Sequence, residues 1–223
     1  MADTQKFEPY DFYCERAYDS SFWAEPINLT TNLAFIIAGI LIIKNLVSGQ
    51  QFNFKKLDII FLSLVLISIG LGSGAYHSMP NKTTLLMDAI PIAIFIHFYI
   101  PCFYSRVMGL QIWQSIIILF LFIGFSYFIT TSFPPDALNG SVGYIPAYFM
   151  LIVMYLLMLI FKKQYAKYLL GAIIIWTLSI AARTFDVKAC EITFNAGTHF
   201  IWHMLNAVVL YRCLNLFLIK SNQ

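Results

Sequence analysis

Seven runs of mostly apolar residues, roughly 28–48, 57–76, 85–104, 112–132, 143–161, 166–185 and 196–218, account for most of this chain. Each is close to the ~20 residues that a helix needs to cross the hydrocarbon core of a bilayer. In lipid no water reaches the backbone, so each amide and carbonyl must be paired inside its own segment, and runs of this length do that as helices. Charge supports the same reading. Only 11% of the residues are charged and 60% are hydrophobic, where a soluble domain carries about 25% charged residues.

The connections between the runs are short. They imply an all-α integral membrane protein, a single seven-transmembrane-helix bundle over residues 28–223, preceded by an acidic extramembrane segment over residues 1–27. That first segment is polar and lacks an apolar core, so no cleavable signal peptide is expected. Its carboxylates are Asp3, Glu8, Asp11, Glu15, Asp19 and Glu25.

Orientation follows from lysine and arginine, which collect on the cytoplasmic side. Seven spans put the termini on opposite sides. Lys44, Lys55, Lys56, Arg106, Lys162, Lys163, Lys167, Arg212 and Lys220 fall on the side of the C-terminus. Lys6, Arg16, Lys82, Arg183 and Lys188 fall on the other. Nine against five predicts the N-terminus out and the C-terminus in. Of eleven acidic residues only Asp58 lies on the inner side.

Against this apolar background a few polar side chains share one level. The second run travels outward and ends in "GLGSGAYHSMP", which carries Ser73 and His77 four residues apart on one helix face. Asp88, in "LLMDAIP", lies about one turn inside the outer end of the third run. "GTHFIWHMLN" begins the seventh run and carries His199 and His203, also four apart. Three histidines, a serine and an aspartate therefore meet near the outer ends of three helices. Three imidazoles are a ligand set for catalytic zinc, with the fourth position left to water. Asp88 then suits a proton acceptor, and Ser73 a hydrogen-bond donor to an oxyanion. His97, alone in the middle of the third run, reads as structural, and Ser73 between glycines also suits close helix packing.

Other polar residues read as supports. Arg183 and Asp186, in "ARTFD", have the spacing of a local ion pair. Asn28 and Asn32 suit bonds between helices, and Trp23, Trp176 and Trp202 suit packing or interface positions. Cys14 and Cys190 both fall in outer segments, whereas Cys102 and Cys213 lie toward inner ends. An oxidising exterior allows Cys14 and Cys190 to bond, or leaves two reduced thiols. Glu15 and Glu25 flank aromatic residues and lead into the first run beside the histidines. Carboxylates and backbone carbonyls in that position are the oxygen ligands that calcium takes in sets of six to eight.

The motifs "YCER", "FWAEPINLTTNLAF", "GSGAYHS" followed by Asp88, "LNGSVGYIPA", "RTFD" and "GTHFIWHMLNA" together resemble bacterial members of the alkaline ceramidase family. That family lies within a superfamily of seven-helix membrane hydrolases that includes the adiponectin receptors. The resemblance implies zinc on His77, His199 and His203, Asp88 as general base, and Ser73 stabilising the oxyanion. It implies hydrolysis of the ceramide amide to a sphingoid base and a fatty acid, so the partner is a membrane lipid and no nucleic acid. It further implies a Cys14–Cys190 disulfide, and calcium on Glu15 and Glu25 with the Tyr13 carbonyl. The family's asparagine two residues after the first glutamate is Ala17 here, so Asp11 or Asp19 would stand in for it. The setting implied is a bacterial inner membrane, with the site facing the periplasm. A related hydrolase of another N-acyl lipid, or a lipid receptor with structural zinc, are the alternatives.

The orientation has its own test. A green fluorescent protein fused at the C-terminus should fluoresce in a bacterial host, and an alkaline phosphatase fused there should be inactive. An active phosphatase fusion would invert the topology.

Overall fold

The structure is a computed structural model that describes residues 13–16, 19–49 and 56–221. Asp3, Glu8 and Asp11 lie outside the described residues. Seven helices among those described are long and apolar enough to cross a bilayer. The chain is a multi-pass integral membrane protein.

The first span is broken. Helix α1 (Pro26–Thr31) is followed by Asn32 and then α2 (Leu33–Gly49). Proline at the first position of α1 has no amide to leave unpaired. The next two amides, of Ile27 and Asn28, donate to the two carboxylate oxygens of Glu15 at 2.7 and 2.8 Å. A carboxylate from outside the helix thus caps its positive end. The remaining spans are α3 (Leu57–Ser78), α4 (Lys82–Phe103), α5 (Ile112–Ser132), α6 (Ile145–Phe161), α7 (Lys163–Phe185) and α8 (His199–Ser221). Asn81 opens α4 with a capping box shared with Thr84. Lys162 alone joins α6 to α7, so those two helices form a tight antiparallel pair.

Packing ranks the helices. In the most apolar window of α3, 61% of residues are buried, and in α8 56%, against 11% in α5. Helices α3 and α8 therefore form the middle of the bundle, while α5 turns Phe120, Leu121, Tyr127 and Phe128 outward. Outside hydrocarbon such exposure would be unfavourable; within lipid it is the expected surface. At the end away from α8's first turn, Arg106 and Asp58 form a bidentate ion pair at 2.9 and 2.5 Å. That pairing accounts for the single acid expected on the inner side.

Helix α3 gets close to both neighbours through glycine. A Cβ at Gly72 would lie 1.9 Å from the carbonyl oxygen of Met87 in α4, and one at Gly70 would lie 2.8 Å from the carbonyl of Asn32. Without hydrophobic drive inside a membrane, close backbone approach is a main source of helix association. It also sets the depth at which Ser73 meets Asp88, the residues next to Gly72 and Met87. Gly72→Ala should therefore lower the thermal midpoint of the detergent-solubilised protein, overpacking of this kind costing about 1–3 kcal/mol. An unchanged midpoint would mean that α3 and α4 are not in backbone contact there.

Candidate metal centre

The last two turns of α3 deliver Ser73 and His77, the second turn of α4 delivers Asp88, and the first two turns of α8 deliver His199 and His203. The start of α8 is held from a distance. Asp186 Oδ1 accepts from the amides of Thr198 at 2.6 Å and His199 at 2.8 Å, and its Oδ2 accepts from the amide of Cys14 at 3.0 Å. Gly197 precedes the helix with φ +65°, and a Cβ there would strike Asp186 and Cys14. Cys14 is bonded to Cys190, with a Cα–Cα distance of 5.5 Å. The N-terminal segment is thus fastened beside α8 twice, once by the disulfide and once by Asp186.

Arg183 and Asp186 do not pair with each other, contrary to the spacing argument. The free amides at the start of α8 claim the aspartate, as a helix N-terminus favours. The Arg183 guanidinium instead lies over the rings of Tyr144 and Trp202, 5.5 and 5.4 Å from their centroids, and against the Tyr13 hydroxyl.

The three histidines are buried, at most 1% exposed. Each offers one ring nitrogen, and the three atoms lie within 4.8 Å of one another. Among the described residues this is the group of three or more candidate ligands that converges. His77 Nε2, His199 Nδ1 and His203 Nε2 have no hydrogen-bond partner. The second nitrogens of His77 and His203 explain which lone pairs remain. His77 Nδ1 lies 2.5 Å from Glu25 Oε2, so it donates to the carboxylate and leaves Nε2 bare. His203 Nδ1 lies 3.1 Å from Thr31 Oγ1, whose own proton goes to the carbonyls of Ile27 and Asn28. His203 therefore donates there and also leaves Nε2 bare. His199 is stacked on Trp202, with ring planes 18° apart, and Tyr13 packs on its ring at 4.1 Å.

Bare, buried nitrogens on three rings that come this close together are costly without a partner. A divalent metal ion supplies one, and an imidazole backed by a carboxylate is a common arrangement around zinc. The set fits zinc. Ser73 lies within reach of the Asp88 carboxylate, and Asp88 Oδ1 and Ser73 Oγ make no bond to any other group. His97 stays apart, its Nδ1 on the Ala93 carbonyl of its own helix at 2.7 Å.

The residues expected to hold calcium are placed differently. Glu25 is 1% exposed, with Oε1 on Arg16 Nε at 2.6 Å and Oε2 on His77 and on Asn28 Nδ2 at 3.0 Å. Burial works to raise its pKa, but the bonds from His77, Arg16 and Asn28 outweigh it and hold the carboxyl below the ordinary value. Glu15 spends both oxygens on α1, and burial pushes its carboxyl up despite those two amides. Asp19 turns both oxygens to Ser21, whose amide and hydroxyl keep its carboxyl low. Burial pushes the Tyr13 hydroxyl well up, so it stays protonated. Asp11 lies outside the described residues. With their carboxylate oxygens so engaged, Glu15, Glu25 and Asp19 as placed do not fit a calcium ion.

The roles of Arg16 and Thr31 escaped the reading of the sequence, and Asp186 and Glu25 were noticed but given other partners. Arg16 follows directly on Glu15 in "YCER", yet nothing in its spacing links it to His77. Thr31 acts through one long-range bond to His203 and Asp186 through three, to the amides of Cys14, Thr198 and His199, and Glu25 carries a carboxylate pattern open to several uses. The clue for Glu25 was its place just ahead of the first span, at the histidines' level.

A family model described as Ceramidase matches residues 10–221. A search of curated proteins gave no match. The family match takes in the N-terminal segment, all seven spans and each residue of the histidine centre, and the chain belongs to the ceramidase family.

Proposed function

We propose that this protein is a zinc-dependent intramembrane amidase that hydrolyses the N-acyl bond of ceramide to a sphingoid base and a fatty acid. The observation that carries the proposal is the group of three buried imidazoles, each with a ring nitrogen without a partner, at the level of Asp88 and Ser73, which are within reach of each other and leave Asp88 Oδ1 without another partner. His77, His199 and His203 would hold the ion. Zinc, when bound, acts as a Lewis acid and brings the pKa of water to about 7.

The chain's own residues supply the remaining steps. Asp88 Oδ1 has no other partner, so it can take the proton from the attacking water. As the amide C–N bond breaks, the same carboxyl returns that proton to the leaving nitrogen. The Ser73 hydroxyl can turn its proton toward the oxyanion formed at the acyl carbon. Glu25 and Thr31 keep the rings of His77 and His203 in the tautomers that leave Nε2 free.

Access from lipid suits a two-chain substrate. A cavity of about 290 Å³ between α4, α5 and α6 is lined by Ala89, His97, Phe122, Ser126, Tyr144 and Arg183. It begins one residue from Asp88. A hydrolase of another N-acyl lipid would use the same groups. A receptor with structural zinc gives no role to a Ser73–Asp88 pair beside the histidines, so catalysis is the better account. The Cys14–Cys190 bond supports a site that faces an oxidising compartment. With the lysine and arginine count, that favours the periplasmic side of a bacterial inner membrane.

Purified zinc-loaded protein should release fatty acid from ceramide within a panel of N-acyl lipids, and a zinc chelator should stop it. Asp88→Asn should lower kcat by roughly 10²–10⁴-fold while keeping its zinc, and Ser73→Ala by up to roughly 10²–10³-fold. Zinc-loaded protein that cleaves no lipid in the panel, or that cleaves equally well after chelation, would sink the proposal.

A further inference from the structure

We propose that Arg16 is a built-in cation that replaces a divalent ion at the N-terminal edge of the site, so that the protein needs no calcium and His77 is positioned through an Arg16–Glu25–His77 chain. The role in positioning His77 rests on the zinc reading above; the calcium independence does not.

Arg16 is 1% exposed, an unusual place for a guanidinium. All three of its nitrogens meet oxygen. Nε donates to Glu25 Oε1 at 2.6 Å, Nη2 to the His77 carbonyl at 2.7 Å, and Nη1 to the Asp19 carbonyl at 2.9 Å, with the Ser21 carbonyl at 3.5 Å. One carboxylate and three carbonyls form the kind of all-oxygen shell that a hard cation collects. These acceptors come from the N-terminal segment, the residue before α1 and the end of α3. A single fixed fork therefore joins three pieces of chain, as a coordinated ion would.

Charge argues for replacement over coexistence. Arg16 and Glu25 form a neutral buried pair, and Glu15 is occupied with the amides that open α1. A divalent ion beside them would add two buried positive charges next to a guanidinium, where Glu25 is already shared among Arg16, His77 and Asn28 and Glu15 is bound to the amides of α1. Removing the guanidinium has the opposite effect. Glu25 would keep His77 and Asn28 but lose its counter-charge, and the His77 carbonyl would lose its donor. The consequence reaches the metal because Glu25 Oε2 orients the His77 ring.

The test uses the full-length protein in detergent, stripped of metal over a chelating resin and reloaded with zinc. Wild type, Arg16→Met, Arg16→Lys and Glu25→Gln are compared with and without millimolar calcium. Two readouts are taken, the thermal midpoint and zinc retention against a colorimetric chelator. Wild type should show the same midpoint and the same zinc retention with or without calcium. Arg16→Met should hold zinc roughly 10–100-fold more weakly, Arg16→Lys should recover part of that loss, and Glu25→Gln should resemble Arg16→Met. A wild-type midpoint that rises with calcium would overturn the replacement. Arg16→Met with zinc retention equal to wild type would overturn the positioning role. Should Arg16→Met fail to fold, Glu25→Gln and Arg16→Lys carry the comparison, and equal zinc retention in both would overturn it. Wild type that holds no zinc contradicts the earlier reading, and the calcium response of its midpoint still decides the replacement.

Discussion

An imidazole nitrogen deprived of water must find another partner, and here three of them are pressed together at the end of a lipid-embedded bundle. Neighbouring protein groups leave those three atoms bare while satisfying the opposite nitrogens of His77 and His203 with Glu25 and Thr31. That asymmetry has a physical consequence. A ring that donates on one side presents a lone pair on the other, so the hydrogen bonds select the tautomer that binds a metal. Burial and tautomer selection together leave a centre that could hold a metal ion with its lone pairs already in place.

Much of the architecture serves to place helix ends. Helix α3 closes on α4 through Gly72, which brings Ser73 level with Asp88. Helix α8 starts where Asp186 receives its first amides, and Asp186 also holds Cys14. The segment ahead of the first span works as part of the site: Tyr13 packs on His199, Glu15 caps α1, Arg16 grips Glu25, and Cys14 bonds to Cys190. Rigid helices carry the ligands, and an irregular strap orients them. Sites held on helices with supporting hydrogen bonds tolerate less drift than sites on loops alone.

What could be read from the sequence divides along a physical line. Spans follow from hydropathy, and the shared level of His77, Asp88, His199 and His203 follows from counting residues in from helix ends. Both are properties of short stretches. Cys14 and Cys190 were confined to one side by the same count, and they are bonded. The resemblance to ceramidases, stated on six motifs, agrees with the family match over residues 10–221. Partner choice was less accessible. Asp186 was paired with the arginine three residues away, and only the packed structure shows that the amides at the start of α8 claim it. Arg16 entered only the count of basic residues and Glu25 was read as a calcium ligand, because burial of the pair depends on how that segment folds over the end of α3. Long-range hydrogen bonds of single side chains have no period and leave no pattern along the chain.

The central claim is that His77, His199 and His203 bind zinc through nitrogen. X-ray absorption at the zinc K-edge of the purified protein tests it most directly. The account predicts stoichiometric zinc with three imidazole nitrogens at about 2.0–2.1 Å and one further light ligand. Sulfur scatterers near ~2.3 Å, a shell of oxygen without imidazole, or protein that retains no zinc after reloading would contradict it.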